Sequence, residues 1–109
     1  MTEQQIKEFA AGVIRAAFDK HALKLIRLIL FGSRAHGNVK PDSDWDFLAV
    51  SERPISRREK TDIWLVINKA LVHNNIDADV LIKNETEFEQ DKTDTGKITY
   101  YANKHGVIL

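Results

Sequence analysis

"FGSRAHGNVKPDSDWDFLAV", residues 31–50, is the stretch whose reading decides the fold. A Gly-Ser pair, Gly32-Ser33, closes one apolar run, and Asp44-Trp45-Asp46 opens the next. Carboxylates are poor strand formers, so two of them at a strand start call for a reason other than folding. If Trp45 to Val50 is a strand, side chains two apart share a face, so Asp44 and Asp46 project together while Trp45 and Phe47 point the other way. Two carboxylates on one face repel each other. A divalent cation between them reverses that, and oxygen ligands suit Mg²⁺.

Upstream, "LKLIRLILF" (23–31) is a β-rich apolar run that stops at Gly32, as a largely buried strand does. Further upstream, Ile6, Phe9, Ala10, Val13, Ile14, Ala17 and Phe18 recur at helical spacing, and Thr2 with Gln5 forms a capping box. Downstream, Pro54 closes the second strand, and Ser56 opens a helix whose apolar stripe is Ile63, Val66, Ile67, Ala70 and Leu71. "IDADVLI" (76–82) alternates as a third strand, with Asp77 and Asp79 on one face and Ile76, Ala78, Val80 and Ile82 on the other.

"NETEFEQDKTDT" holds either a short acidic helix or a loop, "GKITYYANKHG" reads as a helix ending at Gly106, and residues 107–109 add a last short strand. The order describes one α/β or α+β domain over residues 1–109, without repeats or linkers. If the second and third strands are neighbours, three or four carboxylates converge, a ligand set for two metal ions acting on a phosphate ester.

Gly32 and Ser33 supply the complementary half. A glycine lets backbone N–H groups approach a phosphate, and the Ser33 hydroxyl adds a donor. If residues 34–36 begin a helical turn, its N–H groups also face the anion, and Arg34 pairs with a phosphate oxygen.

Rival readings of the same residues fail on particular positions. The spacing of Gly32 and Gly37 fits a GxxxxGK[ST] phosphate loop, but Asn38 and Val39 stand where Lys and Ser/Thr are required. A calcium loop starting at Asp42 would have Phe47 in place of its glycine and Arg53 in place of its final glutamate. An Asp-x-Asp alone would read as turn and edge-strand acids. Gly-Ser at a strand end together with acids on a further strand favours a site.

Composition narrows the class of function. Sixteen basic residues balance sixteen acidic ones, which is not the basic excess of a protein that grips duplex nucleic acid by its phosphates. The local run "RPISRREK", with Arg53, Arg57, Arg58 and Lys60, reads as a solvated helix start. Cysteine is absent, which removes disulfides and thiolate metal sites. The amino terminus has no secretory pattern, and no apolar run approaches the ~20 residues that span a bilayer, so the expectation is a cytoplasmic protein.

The motif Gly32-Ser33, ten residues, then Asp44-x-Asp46 resembles the signature of the polymerase-β-like nucleotidyltransferases, and the chain is most similar to the minimal nucleotidyltransferases. That resemblance implies that Asp44, Asp46 and one further strand acid hold two Mg²⁺ ions, and that Gly32 and Ser33 grip the phosphates of ATP. Asp79 is the preferred third acid because it directly precedes the apolar "VLI", with Asp77 as the alternative. His36 departs from the family, which often has arginine there. His21, His73 and His105 show no ligand spacing. Of Tyr100 and Tyr101, one is expected in the core and the other exposed to a partner.

Minimal nucleotidyltransferases act as antitoxins beside a helical HEPN-type toxin, transferring AMP to a toxin tyrosine or neutralising it by binding. The resemblance therefore implies a hetero-oligomer with a HEPN toxin as the partner that carries the acceptor hydroxyl.

Overall fold

A computed structural model describes residues 1–37 and 43–109. Asn38, Val39 and Asp42, weighed above against a phosphate loop and a calcium loop, lie outside the described residues.

The first helix, α1 (Glu3–Lys20), starts at the expected capping box, where the Gln5 N–H donates to Thr2 Oγ1 and the Thr2 N–H donates to Gln5 Oε1. It buries Ala10, Ile14, Ala17 and Phe18. The next element, β1 (Leu25–Phe31), begins two residues later than the apolar run suggested. Ala22 adopts φ +51° and the Leu23 N–H donates to Phe18 O, so Leu23 is buried in the turn that leaves the helix.

β2 (Trp45–Ser51) is buried along almost its whole length, and α2 (Arg57–His73) follows with Ser56 as its cap. The stripe on α2 is narrower than expected: Ile63, Ile67 and Leu71 are buried, whereas Val66 is exposed. β3 (Ala78–Asn84) also begins two residues late. Asn75 at φ +60° and the Ile76 N–H donating to Leu71 O use Ile76 to terminate α2. The acidic segment is a helix, α3 (Glu85–Asp91), opened by an Asn84 and Glu87 capping box and anchored by buried Phe88. α4 (Ile98–His105) and β4 (Val107–Ile108) complete the chain.

The strands form one mixed sheet in the order β3-β2-β1-β4. β1 is antiparallel to both β2 and β4, and β2 is parallel to β3. Alternation splits the core between the two faces. Leu28, Leu30, Trp45, Phe47, Val80 and Ile82 pack with α1 and α2, whereas Ile29, Leu48 and Val50 pack with Phe88 of α3 and Ala102 of α4. The sheet is therefore covered on both faces, an α/β arrangement. Asp46 and Asp79, out of phase with Phe47 and Val80, belong to the face carrying α3 and α4. Among the described residues, no helix is long and apolar enough to cross a membrane.

Candidate active site

The chain turns immediately after β1. Gly32 has φ +75°, a conformation that side chains disfavour, and Ser33–Ala35 form one 3₁₀ turn. The Ala35 N–H donates to Gly32 O at 3.1 Å and the His36 N–H to Ser33 O at 3.2 Å. Phe31 is the cross-strand partner of Asp46, which brings the turn against the Asp46 side chain. A Cβ built on Gly32 would collide with Asp46 Oδ2. The Gly-Ser turn and the second acid of the Asp-x-Asp thus occupy one place.

Asp46 is also the register partner of Asp79 across the parallel β2–β3 pair. Both strands present these residues to the same face, so the two carboxylates are neighbours. Partial burial, followed by the charge of Asp79 and then that of Asp44, pushes the Asp46 carboxyl above its ordinary value. Asp44 is exposed and immediately precedes β2. Asp77 is exposed and precedes β3, where its carbonyl accepts the Trp45 N–H at 2.9 Å. The convergence is centred on Asp46.

Arg34, expected on a phosphate, has other contacts. Its guanidinium lies 4.6 Å over the Trp45 ring. Nε and Nη2 donate to the Ser43 carbonyl at 3.1 and 2.8 Å, and Nη1 pairs with Glu3 Oε1 at 2.9 Å. With its side chain only 10% exposed, Arg34 ties the turn to the residue before Asp44 and to the start of α1. Ser33 is exposed.

Asp46, Phe31 and Ile98 are shared by two adjoining clefts. One, about 470 Å³, also involves Gly32, His36, Tyr101 and His105. The other, about 250 Å³, runs past Asp79 toward Trp64. The α4 residues were not placed here by sequence reasoning. His105, read as ordinary, meets His36 edge to face at 6.2 Å between ring centroids. The available signal was Gly106: a Cβ there would collide with Ala102 O and Ile29 Cγ2, so the glycine lets α4 dock closely on β1.

Neither tyrosine occupies the core. Thr99 and Ala102 are the buried residues of α4, Tyr100 is half-buried and Tyr101 is 54% exposed. Arg57, Arg58 and Lys60 are exposed, as a solvated helix start requires.

Among the described residues, no three Asp, Glu, His or Cys side chains stand together as a formed metal cage. The donor chemistry nevertheless fits a hard cation: Asp46 and Asp79 are adjacent, Asp44 acts on the same centre, and the destabilised charge on Asp46 is what a cation would relieve. The sequence model of the family described as Polymerase beta, Nucleotidyltransferase matches residues 13–105. No curated protein matches the chain.

Proposed function

The chain belongs to the polymerase β nucleotidyltransferase family, and from that premise we propose that it transfers AMP from ATP to a tyrosine hydroxyl of a HEPN-type toxin, as the antitoxin of the pair. Nucleotidyl transfer follows from the family. The acceptor and the antitoxin role rest on the resemblance to minimal nucleotidyltransferases. The observation that carries the catalytic reading is the placement of Asp46 between Gly32 and Asp79: a phosphate-approach turn touches a carboxylate pair.

Each residue has a task in this reading. Gly32 keeps the turn free of a side chain where phosphate and carboxylate meet, and Ser33 offers a hydroxyl donor. Arg34 holds the Ser43 carbonyl and so the approach of Asp44. Asp44, Asp46 and Asp79 would hold Mg²⁺, which when bound supplies neutralising charge for the triphosphate and the departing pyrophosphate. The acceptor oxygen bonds to the α-phosphorus, the bond from that phosphorus to the pyrophosphate oxygen breaks, and the acceptor proton passes to Asp79 or to water.

The exposed apolar groups around the acids, Trp64, Ile98 and Tyr101, also favour a second reading in which contact alone neutralises the partner. One experiment separates the two. Wild type and a D44N/D46N variant are incubated with the co-purified partner and α-labelled ATP, and label and mass on the partner are measured. Label added only by wild type supports transfer. Equal neutralisation by both proteins, with no label from wild type, overturns it in favour of contact.

A further inference from the structure

We infer that α4 builds the nucleoside subsite of this domain, with the Tyr101 ring as the plate on which the base stacks and Ile98 as its apolar neighbour. This inference rests on the nucleotidyltransferase reading above and extends it to a part of the chain that reading does not use.

The lining of the larger cleft has two chemically different parts. In one, Gly32 meets the Asp46 carboxylate. Ile98 and Tyr101, three residues apart and hence on one side of α4, line the same cleft together with Phe31. His36 and His105 close the margin with their edge-to-face contact. The cleft, about 470 Å³, falls in the range of small-molecule sites and joins a polar part to an apolar wall. With a divalent cation on the Asp46 carboxylate, a ligand with an anionic tail and a flat apolar head matches it, and a nucleoside triphosphate is such a ligand.

Tyr101 is also braced, as a stacking plate must be. The Tyr100 ring meets it at 89° with centroids 5.1 Å apart. Lys104 in turn holds Tyr100, with Nζ donating to its hydroxyl at 3.2 Å and lying 5.5 Å from its ring centre. An exposed aromatic ring fixed in this way loses little freedom when a base covers it. Its exposure and that of Ile98, 54% and 57%, are the surface left for a base to cover. An aromatic plate selects any base by its π-face, so this subsite recognises a nucleoside and leaves the choice among bases to other contacts.

The test uses the full chain and two probes in the presence of Mg²⁺: ATP, and inorganic tripolyphosphate as the phosphate tail without a nucleoside. Titration calorimetry on wild type, Y101A, Y101F and I98A gives the affinities, with thermal melting as a check that each variant folds. Y101A is expected to weaken ATP about tenfold, in the range typical of one lost stacking plate, with I98A weaker in the same direction and Y101F close to wild type. Tripolyphosphate affinity is expected to stay unchanged in all three. If Y101A binds ATP as wild type does, or weakens both probes equally, or if wild type binds ATP no more tightly than tripolyphosphate, the subsite is overturned while the phosphate and carboxylate reading stands. If wild type binds neither probe, that reading falls and the subsite with it.

Discussion

Asp46 occupies with its carboxylate the space that a side chain on Gly32 would need. The positive φ of Gly32 adds a second reason for the absence of a Cβ. A Gly32→Ala variant therefore meets both penalties, and about 1–3 kcal/mol of lost stability is expected from the backbone conformation alone. Denaturant unfolding measures the loss. Because Asp46 must move to admit the methyl group, metal-dependent ATP binding should fall by more than the stability loss explains.

Asp46 sets a pH dependence of definite sign. Burial, Asp79 and Asp44 raise its carboxyl above the unfolded value of 3.8. Between 3.8 and the raised folded value, the folded state binds more protons than the unfolded chain, so this group's contribution to stability falls as pH rises through that window. Above the window the full unfavourable contribution remains. Asp46→Asn removes it, so without metal the variant should gain stability relative to wild type as pH rises, while losing transfer. Paired denaturation curves between pH 3.5 and 7 measure the combined contribution of Asp46 and its coupling to Asp79 and Asp44, while carboxylates remote from Asp46 cancel.

Asp79 and Asp77 differ in placement, and their variants should differ too. Asp79→Asn removes the register partner of Asp46 and should abolish transfer with the fold intact. Asp77→Asn alters an exposed residue whose backbone carbonyl holds Trp45, and its effect should be smaller. Single-turnover assays with α-labelled ATP rank the two. The reverse order would put Asp77 in the role assigned to Asp79.

Arg34 should behave as a positioning residue. Arg34→Ala removes two donors to the Ser43 carbonyl and the stack on Trp45, so about 2 kcal/mol of stability is at stake. Arg34→Lys should restore little of it, because an ammonium lacks the planar fork that meets one carbonyl through two nitrogens. Thermal melting of the two variants beside tripolyphosphate titration separates this role from a direct phosphate contact.

The strand acids were legible because their information is local. Alternation in "DWDF" and "DADV" puts Asp46 and Asp79 on the face opposite Phe47 and Val80, whereas Asp44 and Asp77 lie just before their strands, where alternation assigns no face. The contacts of Arg34 were not legible, since one of its partners is the backbone carbonyl of Ser43, which no side-chain pattern encodes. Nor was α4 at the cleft, because Ile98, Tyr101 and His105 reach Phe31 only after the chain has returned along the sheet. Tyr100 and Tyr101 misled for a related reason: Thr99 and Ala102, smaller and closer to the sheet, take the buried positions. The two late strand starts trace to helix endings at Leu23 and Ile76, apolar residues that serve a turn while reading as strand.

The parallel pairing of β2 with β3 means that Asp46 has two strand neighbours reached through connections of different length. Phe31 and Asp46 become neighbours when a short connection closes, whereas Asp46 and Asp79 meet only after the whole of α2 has crossed over. Longer closures carry the larger entropic cost, so the two carboxylates are brought together by the longer of the two loops. The ionised Asp46 carries a cost at the edge of the cleft, from burial first and then from the charge of Asp79 beside it. A proton, an amide substitution or a divalent cation relieves it.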